Sequence, residues 1–211
     1  MSTAGPDSAA DRALRHIRRA LLTGTYPPGT MLSESALAAD LGLSRTPVRA
    51  ALRRLQDEGL LTIYPKRGAL VRELSADEVR ASAQARHALE TAGVRFAEAA
   101  ARTALRAELA PNLAEQERAL DGGDFPAFAR AAMAFHRSFV TLAGNAVMLD
   151  LYDRLQDRQM LSILRSTPSI TDQPCQVLDA HRALLDDAEA GDWVSFADRL
   201  TTHQEDSHAL P

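Results

Sequence analysis

The most chemically specific stretch of the sequence is residues 42–59, GLSRTPVRAALRRLQDEG. Within six residues it brings together the hydroxyls of Ser44 and Thr46 and the guanidinium groups of Arg45 and Arg49. At the start of a helix such groups act together with the helix dipole on an anion. The stretch therefore predicts a helix whose first turn contacts phosphates and base edges of DNA while its opposite face packs on a core.

A second set of side chains with binding chemistry is formed by histidines in the C-terminal part of the chain. His181 and His203 are 22 residues apart with Gly191-Asp192 midway, so a turn there would bring both imidazoles to matching heights on adjacent antiparallel helices. His136 lies on the apolar side of its own segment, so it is expected to point inward. Three inward imidazoles could bind a divalent metal and leave positions open for a ligand. The alternative is that each is a core histidine bonded to a neighbour.

The composition argues against a disulfide-stabilised, a membrane-spanning or a secreted protein. The chain has 211 residues, of which 45% are hydrophobic and 25% are charged, as in ordinary globular proteins. Its single cysteine, Cys175, cannot form an internal disulfide, which indicates a reducing compartment. No apolar run is long enough to span a membrane, and the first residues lack the pattern of a signal peptide. A cytoplasmic location is expected.

Charge is distributed unevenly along the chain. Residues 1–74 contain 11 Lys and Arg against 7 Asp and Glu, whereas residues 75–211 contain 13 against 21. A basic first third and an acidic remainder predict that one part faces a polyanion and the other does not. Charge also varies along chains without functional meaning, so the asymmetry alone adds little to the expected division into a DNA-binding domain at 1–74 and a second domain at 75–211.

Three helices are expected before residue 60. Apolar periodicity predicts them at residues 9–23, from the Ser33 cap to Leu41, and at residues 45–58. A tight turn at Gly42 joins the second helix to the third, and Ser44 is expected to cap the third helix. Two short helices joined in this way form a helix-turn-helix.

A two-stranded wing is expected to follow the third helix. Residues 60–64 and 69–72 have strand character, and the turn between them contains Lys66, Arg67 and Gly68. The basic tip could reach phosphate or the minor groove. A basic helix is often only a solvated surface, and similar units occur in protein–protein modules. The ordered combination of glycine turn, basic helix start and basic wing favours DNA binding.

The remaining 137 residues read as helix throughout. Helices are expected at about 76–103, 105–121, 124–143, 145–166, 173–190 and 192–208, the first capped by Ser75. Pro111 is expected to mark a kink, and Thr167-Pro168 a break. The expected fold class is mainly α, with an N-terminal winged helix-turn-helix followed by an antiparallel helical bundle.

The segment PPGTMLSESALAADLGLSRTPVRAALRRLQDEGLLTIYPKRGALV resembles the winged helix of GntR-family transcriptional regulators over its full length. The resemblance implies that Arg45, Thr46 and Arg49 contact DNA and that Gly68 lies close to the duplex. The residue after Glu34 is often an arginine in that family, whereas Ser35 stands here. Ser35 can donate a neutral hydrogen bond only, so one ionic contact per subunit should be missing.

The C-terminal part is similar to the all-helical effector domain of the FadR subfamily, called FCD, and its shortness suggests the six-helix, VanR-like branch. The resemblance rests on the motifs RHALE at 86–90, FH at 135–136, HR at 181–182 and the histidine at 203. It implies that His136, His181 and His203 hold a divalent metal such as zinc or nickel and that Arg86 pairs with an effector carboxylate. An inward arginine needs an anion, which either a ligand or an internal acid such as Glu90 could supply, so Glu90 is counted with the effector site. The family's aspartate ligand is replaced by Ala132, which should weaken metal binding.

The leading hypothesis is therefore a homodimeric transcriptional regulator that represses an operator and responds to a small organic acid. A dimer would place two winged helices on a pseudo-palindromic site in double-stranded DNA. One alternative is a dimeric DNA-binding protein whose bundle binds no ligand. Another is an enzyme with a three-histidine metal centre, but no general base is evident beside the histidines. No enzymatic activity is expected.

Overall fold

The structure is a computed structural model that describes residues 7–165 and 174–207. It has two compact units, which divide between Leu74 and Ser75.

The first unit contains three helices, α1 (Ala9–Leu22), α2 (Glu34–Leu41) and α3 (Arg45–Asp57). The side chains of Ser8 and Ser33 cap α1 and α2. Gly42 ends α2 in the left-handed conformation, with φ of 61°, and so permits the tight turn into α3. The apolar stripes of the helices form the core of the unit, with Ala13, Leu14, Ile17, Ala20, Leu21, Leu37, Ala38, Val48, Ala51, Leu52 and Leu55 buried.

A small antiparallel sheet completes the first unit. Its strands are β1 (Met31–Leu32), β2 (Leu61–Tyr64) and β3 (Gly68–Val71), in the order β1-β3-β2. Leu61 faces Val71 and Tyr64 faces Gly68 in the β2–β3 pair. The expected wing is therefore a hairpin, and β1 pairs with the other side of β3.

Two local expectations for this unit were wrong. The segment TYPPGTML at residues 25–32 predicts a turn, because Pro28-Gly29 breaks any helix, but residues 31–32 form a strand. A two-residue strand is too short to give a sequence pattern and depends on its partner β3. Ser44 occupies the cap position of α3, but its hydroxyl makes no capping hydrogen bond. That hydroxyl is left exposed at the start of the helix.

The second unit is a bundle of helices. In the described residues these are α4 (Ala76–Phe96), α5 (Ala99–Asp121), α6 (Phe125–Thr141), α7 (Ala146–Arg165), α8 (Pro174–Ala190) and α9 (Trp193–Ser207). Ser75 and Glu78 form the capping box expected at the start of α4. Helix α6 packs against α4, α5 and α7, while α8 packs against α5 and α9. The mainly α fold class, with a winged helix-turn-helix before a bundle, is confirmed.

The core of the bundle is built from apolar residues of α4, α5, α6, α8 and α9. Its largest cluster is Val94, Leu105, Leu109, Phe135, Phe139, Leu184, Leu185, Ala188, Phe196 and Leu200. Gly93 lets α4 approach α6 closely, since a Cβ there would lie 2.1 Å from the carbonyl oxygen of Phe139. Polar residues on the same inward faces are therefore brought into a dry, tightly packed interior.

One boundary in the bundle differs from expectation. The first break falls at Ala97 and Glu98, whose backbones are extended, rather than near residue 104. No glycine or proline marks this break, and the Arg102 guanidinium accommodates it by donating a 2.7 Å hydrogen bond to the carbonyl of Ala97. Pro111 lies inside α5. The expected break at Thr167-Pro168 and the helix end at residue 208 lie outside the described residues.

Among the described residues, no helix combines the length and apolar composition that crossing a membrane would require.

Candidate nucleic-acid interface and candidate metal site

A basic groove of about 480 Å³ lies between α2, the exposed face of α3 and the wing. It is lined by Ser33, Glu34, Ser35, Arg45, Arg49, Arg53, Ile63, Tyr64, Pro65, Lys66, Arg67 and Gly68. Five of these side chains are cationic and one is acidic. A groove of this kind attracts a polyanion and can contact a phosphate backbone.

The groove brings together six of the eight residues that the sequence assigned to DNA contact, namely Ser35, Arg45, Arg49, Lys66, Arg67 and Gly68. Ser44 and Thr46 are exposed at the start of α3 but are not among the lining residues. Because α3 begins at Arg45, the first turn of the helix and the wing tip face the same groove.

Sequence reasoning missed six of the twelve lining residues, among them Glu34, Arg53 and Tyr64. Arg53 could have been found, because it follows Arg49 by four residues and so lies on the same helix face. Tyr64 is the last residue of β2 and 39% exposed. Glu34 lies in the first turn of α2, and its partner on α3 could not be read from the sequence.

The wing tip has an uncommon backbone. Lys66 has φ of 63°, a conformation that residues other than glycine, asparagine and aspartate rarely adopt. The amide of Arg67 donates a 3.0 Å hydrogen bond to the carbonyl of Tyr64, which closes the turn. Gly68 has φ of 122°, and a Cβ there would lie 2.3 Å from the carbonyl oxygen of Leu32. The close approach of β1 thus requires glycine at this position.

In the bundle, His136, His181 and His203 converge as expected. The Nε2 atom of His203 lies 3.2 Å from Nε2 of His136 and 3.2 Å from Nε2 of His181. All three rings are buried, and their candidate ligand atoms lie within 4.8 Å of one another. Three nitrogen atoms from α6, α8 and α9 therefore face a common point.

The Nδ1 atoms of two of these rings contact hydrogen-bond acceptors on the side away from the cluster. His136 Nδ1 lies 2.8 Å from Glu90 Oε2, and His181 Nδ1 lies 2.6 Å from Gln116 Oε1. Since the Gln116 Nε2 donates to Asn112 Oδ1, its Oε1 is the acceptor for His181. Both rings must then donate from Nδ1, which leaves an Nε2 lone pair directed inward. This is the arrangement that orients imidazoles toward a metal.

Electrostatics favour neutral imidazoles in this cluster. Burial lowers the pKa of His136, although the facing Glu90 opposes this shift. Burial, reinforced by the two other rings, lowers the pKa of His181 well below its usual value. Burial alone would raise the pKa of Glu90, but the charge of Arg86 and the hydrogen bonds from His136 and Tyr152 outweigh it and bring that pKa to about 2. Glu90 is therefore a buried carboxylate.

The partner of Arg86 is internal. Its Nε donates to Glu90 Oε1 at 3.0 Å and contacts the Tyr152 hydroxyl oxygen at 3.2 Å, and the Tyr152 hydroxyl donates to the same carboxylate at 2.9 Å. The sequence left open whether a ligand or Glu90 supplies the anion for Arg86, and in this structure it is Glu90. Tyr152 and Gln116 were missed, because a tyrosine and a glutamine on long helices carry no pattern that marks them as buried.

The position one turn before His136 is occupied by Ala132, which is buried and has no ligand atom. Asp153 on α7 does not replace the missing acid, because it pairs with Arg137 at 2.6 Å and its side chain is 44% exposed. In the described residues the cluster is therefore a neutral set of three nitrogen donors, suited to a borderline divalent ion such as Zn²⁺.

Comparison with known families assigns both units. The family described as bacterial regulatory proteins, gntR family, matches residues 9–71. The family described as FCD domain matches residues 81–206.

Several relatives cover most of the chain. A probable D-xylose utilization operon transcriptional repressor from Paenarthrobacter nicotinovorans is 34% identical over 181 residues, which are 85% of this chain and 78% of the relative. An uncharacterized HTH-type transcriptional regulator from Agrobacterium vitis is 36% identical over 69% of this chain and 85% of its own. The HTH-type transcriptional repressor RspR of Escherichia coli is 30% identical over 67% and 62%.

Solved structures share the fold. The crystal structure of a protein described as a GntR transcriptional regulator from Rhodococcus sp. RHA1 matches with a TM-score of 0.85 and 25% identity, over 96% of this chain and 97% of that one. The E. coli protein McbR/YncC matches with a TM-score of 0.79 and 22% identity, over 94% of each chain. The second likeness concerns the fold alone.

Proposed function

This chain belongs to the GntR family of bacterial regulatory proteins and is a transcriptional regulator of the GntR/FCD type, and from this premise we propose that a small carboxylate effector in the bundle controls its affinity for an operator. The relatives from P. nicotinovorans and E. coli are named repressors, which supports a repressor here as well.

The observation that carries the DNA-binding part is the groove with five cationic side chains between α3 and the wing. We propose that Arg45, Thr46 and Arg49 enter the major groove, with Ser44 and Ser35 donating hydrogen bonds nearby. Lys66 and Arg67 at the wing tip contact phosphate, and Gly68 keeps the tip close to the duplex. Two copies in a homodimer bind the two halves of a pseudo-palindromic operator.

The substitution Arg49→Ala tests this proposal. It removes a guanidinium from the groove, so affinity for a duplex selected by the protein from a randomised pool should fall at least about tenfold, the worth of one good bidentate base contact. Arg54→Ala is a matched control, because Arg54 lies on the same helix but pairs with Asp11 at 2.7 Å, outside the groove. A gel-shift titration of both variants decides the matter. Equal affinities for the two would refute the assignment of α3.

For the input side, we propose that His136, His181 and His203 hold a divalent metal. The proposal is supported by the three Nε2 atoms, whose close contacts cannot all be hydrogen bonds. His136 and His181 both donate from Nδ1, so each presents an Nε2 lone pair to His203 Nε2. A proton on that third nitrogen can satisfy only one of the two 3.2 Å contacts, and a cation between the rings satisfies all three.

A carboxylate effector fits the same region. A divalent ion held by three neutral nitrogens supplies open positions for carboxylate oxygens. Arg86 adds a second feature, because its buried Nη2 lies 2.9 Å from Glu90 Oε1 yet makes no hydrogen bond with any described residue. A buried donor without an acceptor is satisfied when a ligand oxygen reaches it. We propose that Arg86 and Glu90 border the effector and that the three histidines bind it through the metal.

Control of the operator then requires only that the effector bind the DNA-competent and DNA-incompetent states unequally. The signal passes from the bundle to the winged helix through the short connection at Leu74-Ser75. The effector need not contact DNA.

A thermal-shift titration tests the input side. Zn²⁺ should raise the Tm of the wild-type protein, and a small dicarboxylate should raise it further in the presence of Zn²⁺. His203→Ala should abolish the Zn²⁺-dependent rise, whereas His16→Ala, which alters a histidine of the first unit, should keep it. A bundle that binds no ligand would show no rise with any metal or acid. Turnover that depends on the metal would favour the enzyme alternative.

A further inference from the structure

Glu34 is the one acidic residue among those lining the basic groove. Its carboxylate accepts three hydrogen bonds from Arg49: Nε to Oε1 at 3.2 Å, Nε to Oε2 at 3.1 Å and Nη2 to Oε2 at 2.8 Å. Arg45 Nη2 lies 3.6 Å from the same Oε2. The Glu34 side chain is 16% exposed, against 49% for Arg49. The acid therefore lies beneath the arginine, at the base of the groove.

The contact uses one particular side of the Arg49 guanidinium. A guanidinium has two edges that can form paired hydrogen bonds, one made by Nε and Nη2 and the other by the two Nη atoms. Glu34 occupies the first edge. Within the described residues, Nη1 makes no hydrogen bond, so the second edge remains available. A paired contact to guanine O6 and N7 requires such an edge.

Glu34 is itself fixed in place. It is the first residue of α2, whose start is capped by the Ser33 hydroxyl and whose dipole favours a negative charge there. The hydrogen bonds from Arg49 lower the pKa of Glu34, so the carboxylate is ionised at neutral pH. A rigid anion at a helix start thus sets the plane of a guanidinium on the neighbouring helix.

The Glu34 carboxylate also weakens the attraction of the groove for the phosphate backbone of DNA, whatever the base sequence, because it cancels one of the five positive charges. We infer that Glu34 is a positioning residue that presents the free edge of Arg49 to a base and makes binding more selective at the cost of sequence-independent affinity. The inference rests on the proposed function, in which Arg49 contacts DNA.

Glu34→Gln tests the inference, because the amide keeps the shape of the side chain and removes its charge. Two probes are used: the duplex selected from a randomised pool and a duplex of the same composition in shuffled order. The ratio of the two affinities should fall about tenfold in Glu34→Gln, as expected for losing the discrimination of one paired base contact. The shuffled duplex should bind as tightly as before or more tightly.

Two further variants separate positioning from charge. Glu58→Gln removes the same charge from the same unit, but Glu58 pairs with Arg18 outside the groove, so the affinity ratio should not change. In an Arg49→Lys background, Glu34→Gln should no longer alter the ratio, because Lys has no second edge to present.

A spectroscopic readout follows Arg49 directly. The Nε–H signal of Arg49 in a ¹⁵N–¹H spectrum of the free protein should exchange slowly in the wild type and become rapidly exchanging in Glu34→Gln. Assignment of the signal uses its loss in Arg49→Lys.

The results for these variants distinguish a failure of the inference about Glu34 from a failure of the proposed function. An unchanged affinity ratio in Glu34→Gln, with Arg49→Ala strongly weakened, would overturn the inference and leave the proposed function intact. An equal fall in Glu58→Gln would also overturn it, since net charge alone would then be responsible. Failure to recover any selected duplex, or full affinity in Arg49→Ala, would count against the proposed function itself.

Discussion

At the scale of single residues, the bundle interior is organised around hydrogen-bond donors and acceptors rather than charge alone. Tyr152 donates to Glu90, Glu90 accepts from His136, and His203 lies between His136 and His181. A buried polar group is stable only when its partners are in place. Replacing one member should therefore affect both the stability of the bundle and the orientation of the rings.

Gln116 is the most direct test of that network. Gln116→Leu leaves the Nδ1 proton of His181 without its acceptor in a fully buried place, since Gln116 is 0% exposed. Loss of such an outer partner lowers metal affinity about 10- to 100-fold and costs about 1–3 kcal/mol of stability. Zn²⁺ titration by calorimetry, with exposed Glu117→Gln on the same helix as control, measures the first effect. Unchanged Zn²⁺ affinity would contradict the role given to Gln116.

At the scale of elements, each of the six described helices of the bundle supplies at least one member of the network. The contributions are Glu90 from α4, Gln116 from α5, His136 from α6, Tyr152 from α7, His181 from α8 and His203 from α9. Helices α4 and α6 run in the same direction, because Glu90 faces His136 and Gly93 faces Phe139, each three residues further on. The spacing of these two helices therefore sets the Glu90–His136 distance.

Gly93→Ala tests this spacing. Alanine is the better helix former by about 1 kcal/mol, but its methyl group would overlap the backbone of Phe139 and Val140, with atoms at 2.1–2.8 Å. Overpacking of this kind costs about 1–3 kcal/mol, so the variant should be less stable and should bind Zn²⁺ more weakly.

The control for this variant is Gly122→Ala. An added methyl there meets the Arg118 carbonyl oxygen at 3.2 Å and nothing nearer, so the Tm should change much less. Thermal unfolding compares the two variants. A stabilised Gly93→Ala protein would mean that α4 and α6 separate easily and that their contact does not position Glu90.

At the scale of the whole molecule, the two units carry different charges for different tasks. Residues 1–74 have an excess of basic side chains and include the groove, whereas residues 75–211 have an excess of acidic ones. The bundle also exposes large apolar side chains, including Phe96 at 62%, Val147 at 70% and Leu151 at 50%. Exposed apolar surface favours association with another protein surface.

We therefore expect a homodimer in solution. Sedimentation equilibrium should give twice the 22.9 kDa mass of the chain at micromolar concentration, both with and without DNA. High salt should weaken operator binding strongly, since that binding releases counterions from phosphate, and should leave the dimer intact, since apolar burial is not screened. A monomeric mass in the absence of DNA would contradict this expectation.

Much of the fold could be predicted from the sequence because its signals are local. The α3 stripe of Val48, Ala51, Leu52 and Leu55 repeats at helical spacing, and the Ser75–Glu78 capping box lies within four residues. The break at Ala97 and the strand at Met31–Leu32 could not be predicted in this way. One has no glycine or proline to mark it, and the other exists only through its pairing with β3.

Periodicity along the chain is enough to predict which residues face the groove and the bundle interior, because it fixes the face of a helix on which a side chain lies. This periodicity was enough to predict Arg45 and Arg49 as DNA contacts and the three histidines as an inward-facing cluster. Only the tertiary structure decided their partners: Glu34 for Arg49, Glu90 for Arg86 and His136, and Gln116 for His181. The contacts of Glu34 with Arg49, Glu90 with His136 and Gln116 with His181 join residues 15 to 65 positions apart, so no local pattern encodes them. Arg86 and Glu90 are four residues apart on one helix, but that spacing does not decide whether the arginine pairs with this acid or with a ligand.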